Sequence, residues 1–309
     1  MIEPSTNLNM ELLNPLQLIH YQVITDAVKL INYHITGIQN NRLEIIDGIE
    51  WRCERSKRTG LITISIGCSE ILIDTFEAFY ATLQIETHKP DTSTSIGLNA
   101  VEICRSYRLF SHKRLHRLHS RYPGLVLDQT QRSKVIKNNT ILMNMGRQMI
   151  AFLLLHEVYH ETTSNEYSCD RYAIDLMRKH IPQFNGFEDL YVFALLIHSI
   201  KETRYKKFPK NHPCSIMRIH RALSVLGKSS QAWTYISVWL LLENPNIIKP
   251  EQLSDVRDCY ELFFRMAYKC IPRRYICQKS NIYVRYVLLR IKYSINKMVV
   301  STKISGVSN

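Results

Sequence analysis

A histidine, a glutamate and a second histidine close an almost unbroken apolar run in the middle of this chain. Met149, Ile150, Ala151, Phe152, Leu153, Leu154 and Leu155 lead directly into His156-Glu157-Val158-Tyr159-His160. That run restricts the fold more than anything else in the sequence. A helix that is apolar nearly all round belongs in a protein interior, and polar groups carried inside need partners. At about 100° per residue, positions i and i+4 share one face roughly a turn apart, so both imidazoles can reach one ion while Glu157 stands beside it without ligating. A solvated surface helix also carries His and Glu at such spacings, for i,i+4 pairing. The leucines upstream argue against a solvated face here.

Catalytic zinc usually has three protein ligands and one open position, so a third donor is expected nearby. Downstream stands Ser164-Asn165-Glu166-Tyr167-Ser168-Cys169-Asp170-Arg171-Tyr172-Ala173. Ser164 or Asn165 suits a helix cap, which puts Glu166 in the first turn of a new helix and Asp170 four residues on. Glu166 is the expected ligand. Asp170 is the acceptor that a zinc-bound imidazole needs for its far ring nitrogen. Asp170 as third ligand is the rival, Cys169 a weaker one, and both acids can also serve simply to favour a helix N-terminus. Only five residues separate His160 from Glu166. The run Glu161-Thr162-Thr163-Ser164-Asn165 must therefore reverse the chain at once, and without glycine it calls for strain or a left-handed asparagine.

A second group lies at Asn211-His212-Pro213-Cys214-Ser215-Ile216-Met217-Arg218. Proline opens helices, which sets His212 just before one and Arg218 inside it. A histidine there can donate to the oxyanion of a tetrahedral intermediate. Arg218 can clamp Glu166 or Asp170 by paired hydrogen bonds. Alone, this segment reads equally well as an ordinary helix start.

Together the three segments, HEVYH, EYSCD and HPCSIMR, resemble the gluzincin pattern of the HtpX-like and CAAX-processing membrane proteases: HExxH, then E-x-x-A-D, then H-P-x-x-x-x-R. Cys169 stands in the alanine place. The resemblance implies Glu166 as third ligand, Asp170 as the acid behind a ligand, and His212 and Arg218 as an auxiliary pair. Two features depart from it. The spacing between His160 and Glu166 is far shorter, and the longest apolar runs, Met149–Leu155 and Val238–Leu242, fall well short of the roughly 20 residues that span a bilayer. A chain of this length with a central HExxH looks more like the phage-exclusion peptidases of the Lit type, a family implied to cut translation elongation factor Tu during phage infection (abortive infection). The match is confined to motifs within 145–225.

With 309 residues, 45% hydrophobic and 22% charged, the chain can bury a proper core and is globular rather than disordered. The N-terminus lacks a basic stretch followed by an apolar one, so no signal peptide is expected. Eight cysteines without a CxxC pair read as free thiols of a cytoplasmic protein. The net charge of +13 is uneven. Residues 105–147 hold ten Lys or Arg against the single acid Asp128, and 262–309 hold another ten with no Asp or Glu. Such a field attracts nucleic acid or an acidic protein, or is simply a solvated surface. No zinc-finger spacing or RNP-like sequence supports specific nucleic-acid readout.

The expected fold is mainly α, an α+β chain with a small sheet, in which a zincin-like core packs the HExxH helix against the Glu-bearing helix. Periodicity predicts a helix within 8–37, with Leu12, Leu13, Leu16, Leu18, Ile19, Val23 and Ile24 inward. The alternation Leu61–Ile66 predicts a strand, and helix resumes over 71–84. Residues 88–95 read as a linker, 100–120 as a basic helix and 125–127 as a short strand. Further helices are predicted over 143–161, 165–180, 187–205, 213–226, 230–243, 251–269 and 280–299. The expected division is an N-terminal segment 1–95, a catalytic core 96–230 and a basic C-terminal segment 231–309, or one continuous domain.

The sequence thus predicts a zinc endopeptidase with one Zn2+ per chain on His156, His160 and Glu166. Glu157 is its general base, His212 its oxyanion donor, and Asp170 and Arg218 its supports. Its expected partners are a cytoplasmic protein substrate, elongation factor Tu among them, and an activating protein or peptide. No membrane partner is expected. The alternative is a non-enzymatic regulatory or nucleic-acid-associated basic protein, with a structural zinc site that Cys169 closes as fourth ligand.

Overall fold

A computed structural model describes residues 1–73 apart from 7, 37, 39 and 49, together with 76, 129–181, 189–205, 215–229 and 235. The described part is mostly helical, with one small mixed sheet of four strands. Strands β1 (Ile2–Thr6), β2 (Asn41–Ile46), β3 (Cys53–Arg55) and β4 (Ile62–Ser65) lie in the order β1-β2-β4-β3. β1 runs parallel to β2, with Ile2 opposite Asn41, and β2 runs parallel to β4, with Leu43 opposite Ile62. β3 pairs antiparallel with β4, Cys53 opposite Ile64.

Parallel neighbours need a crossover, and α1 (Pro15–His34) supplies it between β1 and β2. Its start is over-determined. Asn14 accepts from Leu16 N and Gln17 N, Gln17 Oε1 accepts from Asn14 N at 2.9 Å, and Pro15 fills the first turn. This capping box fixes where the helix begins. Leu16, Ile19, Val23 and Ile24 are buried as predicted, and so is Leu13 just ahead of the helix. Leu18 is 38% exposed and Leu12 79%. Leu18 lies two residues, about 200°, beyond Leu16 and so faces outward. Leu12 sits in the 3-10 turn before the cap.

The predicted strand within 61–66 is β4, where Thr63 and Ser65 are buried along with Ile62 and Ile64. Ser65 ends it by accepting from Cys68 N at 3.2 Å, so residues 66–73 continue as helix without a loop. β1 and β3 carry no alternation that predicts them, and that of β2, clear in its burial, is confined in the sequence to Leu43-Glu44-Ile45.

After α2 (Gln129–Asn138) comes α3 (Thr140–Tyr159), the helix that holds the HExxH sequence. Asn139 caps α3 by accepting from Ile141 N and Leu142 N. Residues 149–158 of α3 are all buried, as the apolar run demanded. α3 packs on α1, on α4 (Glu166–His180) and on α5 (Asp189–Tyr205), and it touches β3 and β4. α6 (Ser215–Val225) closes against α4 and α5. A single apolar cluster joins Ile2 and the sheet to α1, α3, α4, α5 and α6. The expected helix over 77–84, the linker at 88–95, the boundaries near 95 and 230, the basic helix at 100–120, the strand at 125–127 and, apart from helical Tyr235, the helices beyond 230 lie outside the described residues. No described helix is long and apolar enough to cross a membrane.

Gly146 sets how near α3 lies to its neighbours. A Cβ there would stand 2.7 Å from Ile73 Cδ1 and 3.2 Å from Val23 Cγ1. Gly146→Val should therefore destabilise the protein by about 1–3 kcal/mol through overpacking. An unchanged urea midpoint would show that the helices can part without cost.

Candidate metal centre

Two elements running in opposite directions bring the predicted donors together. α3 ends at Tyr159, and His160 N, Glu161 N and Thr162 N bond back to Glu157 O, Val158 O and Tyr159 O, which tightens the last turn. Asn165 then caps α4, its side chain accepting from Ser168 N at 3.3 Å. The expected left-handed asparagine is not used. Asn165 has φ −88° and ψ 107°, ordinary extended backbone. The reversal is taken up by the tightened turn and the cap, so it needs no glycine.

His156, on α3, and Glu166, in the first turn of α4, are buried, while His160 is partly open. His156 Nε2 lies 3.1 Å from His160 Nε2 and 3.2 Å from Glu166 Oε2, and His160 Nε2 lies 3.6 Å from that same oxygen. A tetrahedral ion with bonds of about 2.0–2.2 Å places its ligands roughly 3.3–3.5 Å apart. The three separations lie within a few tenths of an ångström of that spacing, and this group could hold a metal ion. Of the alternatives for the third donor, Glu166 converges with the two Nε2 atoms. Asp170 stands behind His156, its Oδ1 2.9 Å from Nδ1. Cys169 Sγ lies 3.5 Å from His160 Nδ1, on the other side of that ring from Nε2.

Arg218, from α6, is 1% exposed and holds both acids. Its Nε and Nη2 donate to Asp170 Oδ2 and Oδ1 at 3.0 and 2.7 Å, and Nη2 also lies 3.3 Å from Glu166 Oε2. Burial alone would push both carboxyls up. The Arg218 guanidinium overrides it, holding Asp170 below its ordinary value and Glu166 far below the carboxylate range. Burial, with the nearby carboxylates, pushes the Cys169 thiol up, so it stays protonated. Arg55 of β3 pairs with Glu161 at 3.2 Å and donates to Asn41, tying the sheet edge to the residue after His160.

One polar residue here has no precedent in the sequence reading. His198, on α5, is fully buried, with Nε2 3.7 Å from Glu157 Oε1. Its ring lies 5.3 Å from that of His156 and 6.0 Å from that of Trp51. A signal existed: Leu190–Ile197 is a buried apolar run that ends in a histidine, as Met149–Leu155 ends in His156. His212, the expected oxyanion donor, lies outside the described residues. No protein-family profile, curated protein or solved structure matches the chain.

Three acceptor atoms this close need positive charge among them, either a proton on His156 or a metal ion. Burial pushes the His156 pKa down, but the Asp170 and Glu166 contacts outweigh it and carry it from 6.5 up to about 10. A raised histidine pKa stabilises the folded metal-free protein fully below pH 6.5 and ceases to do so as pH rises through about 10. Metal binding must displace that proton. Zinc or cobalt affinity should therefore rise about ten-fold per pH unit within this window, with one proton released per ion. Calorimetry in buffers of different ionisation enthalpy measures that release, and no release would contradict the charge assignment.

Removing the guanidinium leaves two buried carboxylates without their cation, a loss of about 3–5 kcal/mol. Arg218→Met should show it by lowering the urea midpoint sharply and weakening metal binding. A midpoint within error of wild type would place Arg218 outside the support of this centre.

Proposed function

We propose that this protein is a zinc-dependent endopeptidase. The single observation that carries the reading is the convergence of His156 Nε2, His160 Nε2 and Glu166 Oε2 within 3.6 Å of one another beside Glu157, a buried carboxylate outside that triad. A zinc ion held by the triad supplies Lewis acidity, polarising a peptide carbonyl and lowering the pKa of a water molecule.

The chain's own residues do the rest. His156 and His160 present their Nε2 atoms because Asp170 and Thr163 O occupy the opposite ring nitrogens, at 2.9 and 3.2 Å. That arrangement fixes the tautomers. Glu157 takes the proton of the attacking water and passes it to the leaving amine. Asp170 and Arg218 hold the ligands in place. His212 is the proposed donor to the oxyanion. The position of Cys169 Sγ beside His160 Nδ1, rather than beside the Nε2 that would hold the ion, favours the open, catalytic form over a closed structural site.

The chain's length and central HExxH, which resemble those of Lit-type peptidases, support a cytoplasmic protein substrate, with elongation factor Tu the first to test. An acidic substrate would also be drawn by the +13 net charge. A free peptidase endangers its own cell, so we expect an activating protein or peptide to license cutting.

Incubation with a bacterial lysate should yield one new fragment, abolished by chelator and restored by zinc. Glu157→Gln should retain zinc and lose at least about 1,000-fold in cleavage rate, because it keeps the shape and removes the base. Cleavage at the wild-type rate by that variant would refute the assignment.

A further inference from the structure

The triad is not the end of the donor set. His198 Nε2 and Glu157 Oε1 stand 3.7 Å apart, and with one nitrogen of His156 they make a second group whose donor atoms all lie within 4.8 Å of one another. All three residues are buried. His198 comes from α5, a different helix from either source of the triad, and its ring is flanked by His156 and Trp51.

We propose that Glu157 and His198 form a second seat for a divalent transition-metal ion, filled after the triad and inhibitory when filled. This inference rests on the metal centre proposed above. An imidazole nitrogen and a carboxylate oxygen suit zinc or cobalt rather than calcium or magnesium. Tetrahedral ligands lie roughly 3.3–3.5 Å apart, so the observed 3.7 Å closes with a shift of a few tenths of an ångström.

The order of filling follows from His156. Each of its ring nitrogens has one lone pair or proton to offer. Nδ1 faces Asp170, and Nε2 faces His160 and Glu166. Once an ion holds Nε2, His156 has nothing left for a second. The second seat then has two protein donors where the triad has three, completed by water, and a dication close by opposes it. It binds more weakly for both reasons. The inhibition follows from Glu157: a carboxylate serving as a ligand no longer accepts the proton of the attacking water. A single side chain thereby joins turnover to the free metal level.

The test is a competition titration of the full-length metal-free protein with Zn2+ against a chromophoric chelator, with peptidase activity followed in parallel. Wild type should bind one ion tightly and a second at least about 100-fold more weakly. Activity should rise with the first and fall with the second. His198→Gln should keep the tight equivalent and weaken the second at least about ten-fold. Glu157→Gln, which keeps the side-chain shape, should do the same if His198→Gln fails to fold. A wild-type protein that binds one ion only, or a second equivalent that both variants leave untouched, overturns the second seat while the triad stands. Loss of the tight equivalent from wild type overturns the triad and the second seat with it.

Discussion

Two imidazole nitrogens and a carboxylate oxygen are held within 3.6 Å of one another in a largely buried setting. Left without positive charge among them, three such acceptors repel, and burial strips away the water that would screen them. The surrounding residues answer that problem. Arg218 crosses from α6 to both Asp170 and Glu166. Asp170 backs His156, and Thr163 O backs His160. Each contact either adds positive charge near the acids or fixes which ring nitrogen faces inward. A buried ion pair is weak evidence for stability, so such a costly arrangement points to a role for the site.

The fold is arranged around keeping that cluster in register. α3 is buried on every side near its C-terminus, so its rotation is fixed by α1, α4, α5 and the sheet together. The turn that follows is too short to let α4 wander, and its tightened backbone leads straight into the Asn165 cap. Glu161, the residue after His160, is tied to Arg55 on the outermost strand. Donor cluster, turn and sheet edge are therefore coupled through a few direct contacts.

Much of this was legible because it is local. The spacing of His156 and His160, the short step to Glu166, and Asp170 one helical turn further on all follow from 3.6 residues per turn. Arg218, distant in sequence, was legible as a clamp through the resemblance of HPCSIMR to the H-P-x-x-x-x-R pattern, and through the fork geometry that lets a guanidinium hold a carboxylate. What escaped is what depends on tertiary pairing. β1 contains Pro4, β3 is three residues long and β2 alternates in sequence only over Leu43-Glu44-Ile45, so their pairing partners rather than their own patterns make them strands. Leu18 reads as core by composition but faces out, because it lies off the stripe through Leu16, Ile19, Val23, Ala27 and Ile31 that packs inward. His198 carries no motif. Only the fold brings α5 alongside Glu157.

The most direct test of the central claim is X-ray absorption at the zinc edge of the protein loaded with one equivalent of metal. The account predicts a shell of nitrogen and oxygen only, at about 2.0–2.1 Å, with the scattering pattern of two imidazoles and no sulfur. A sulfur shell near 2.3 Å would mean that a thiolate completes the site. That result, or a protein that takes up no zinc, would contradict it.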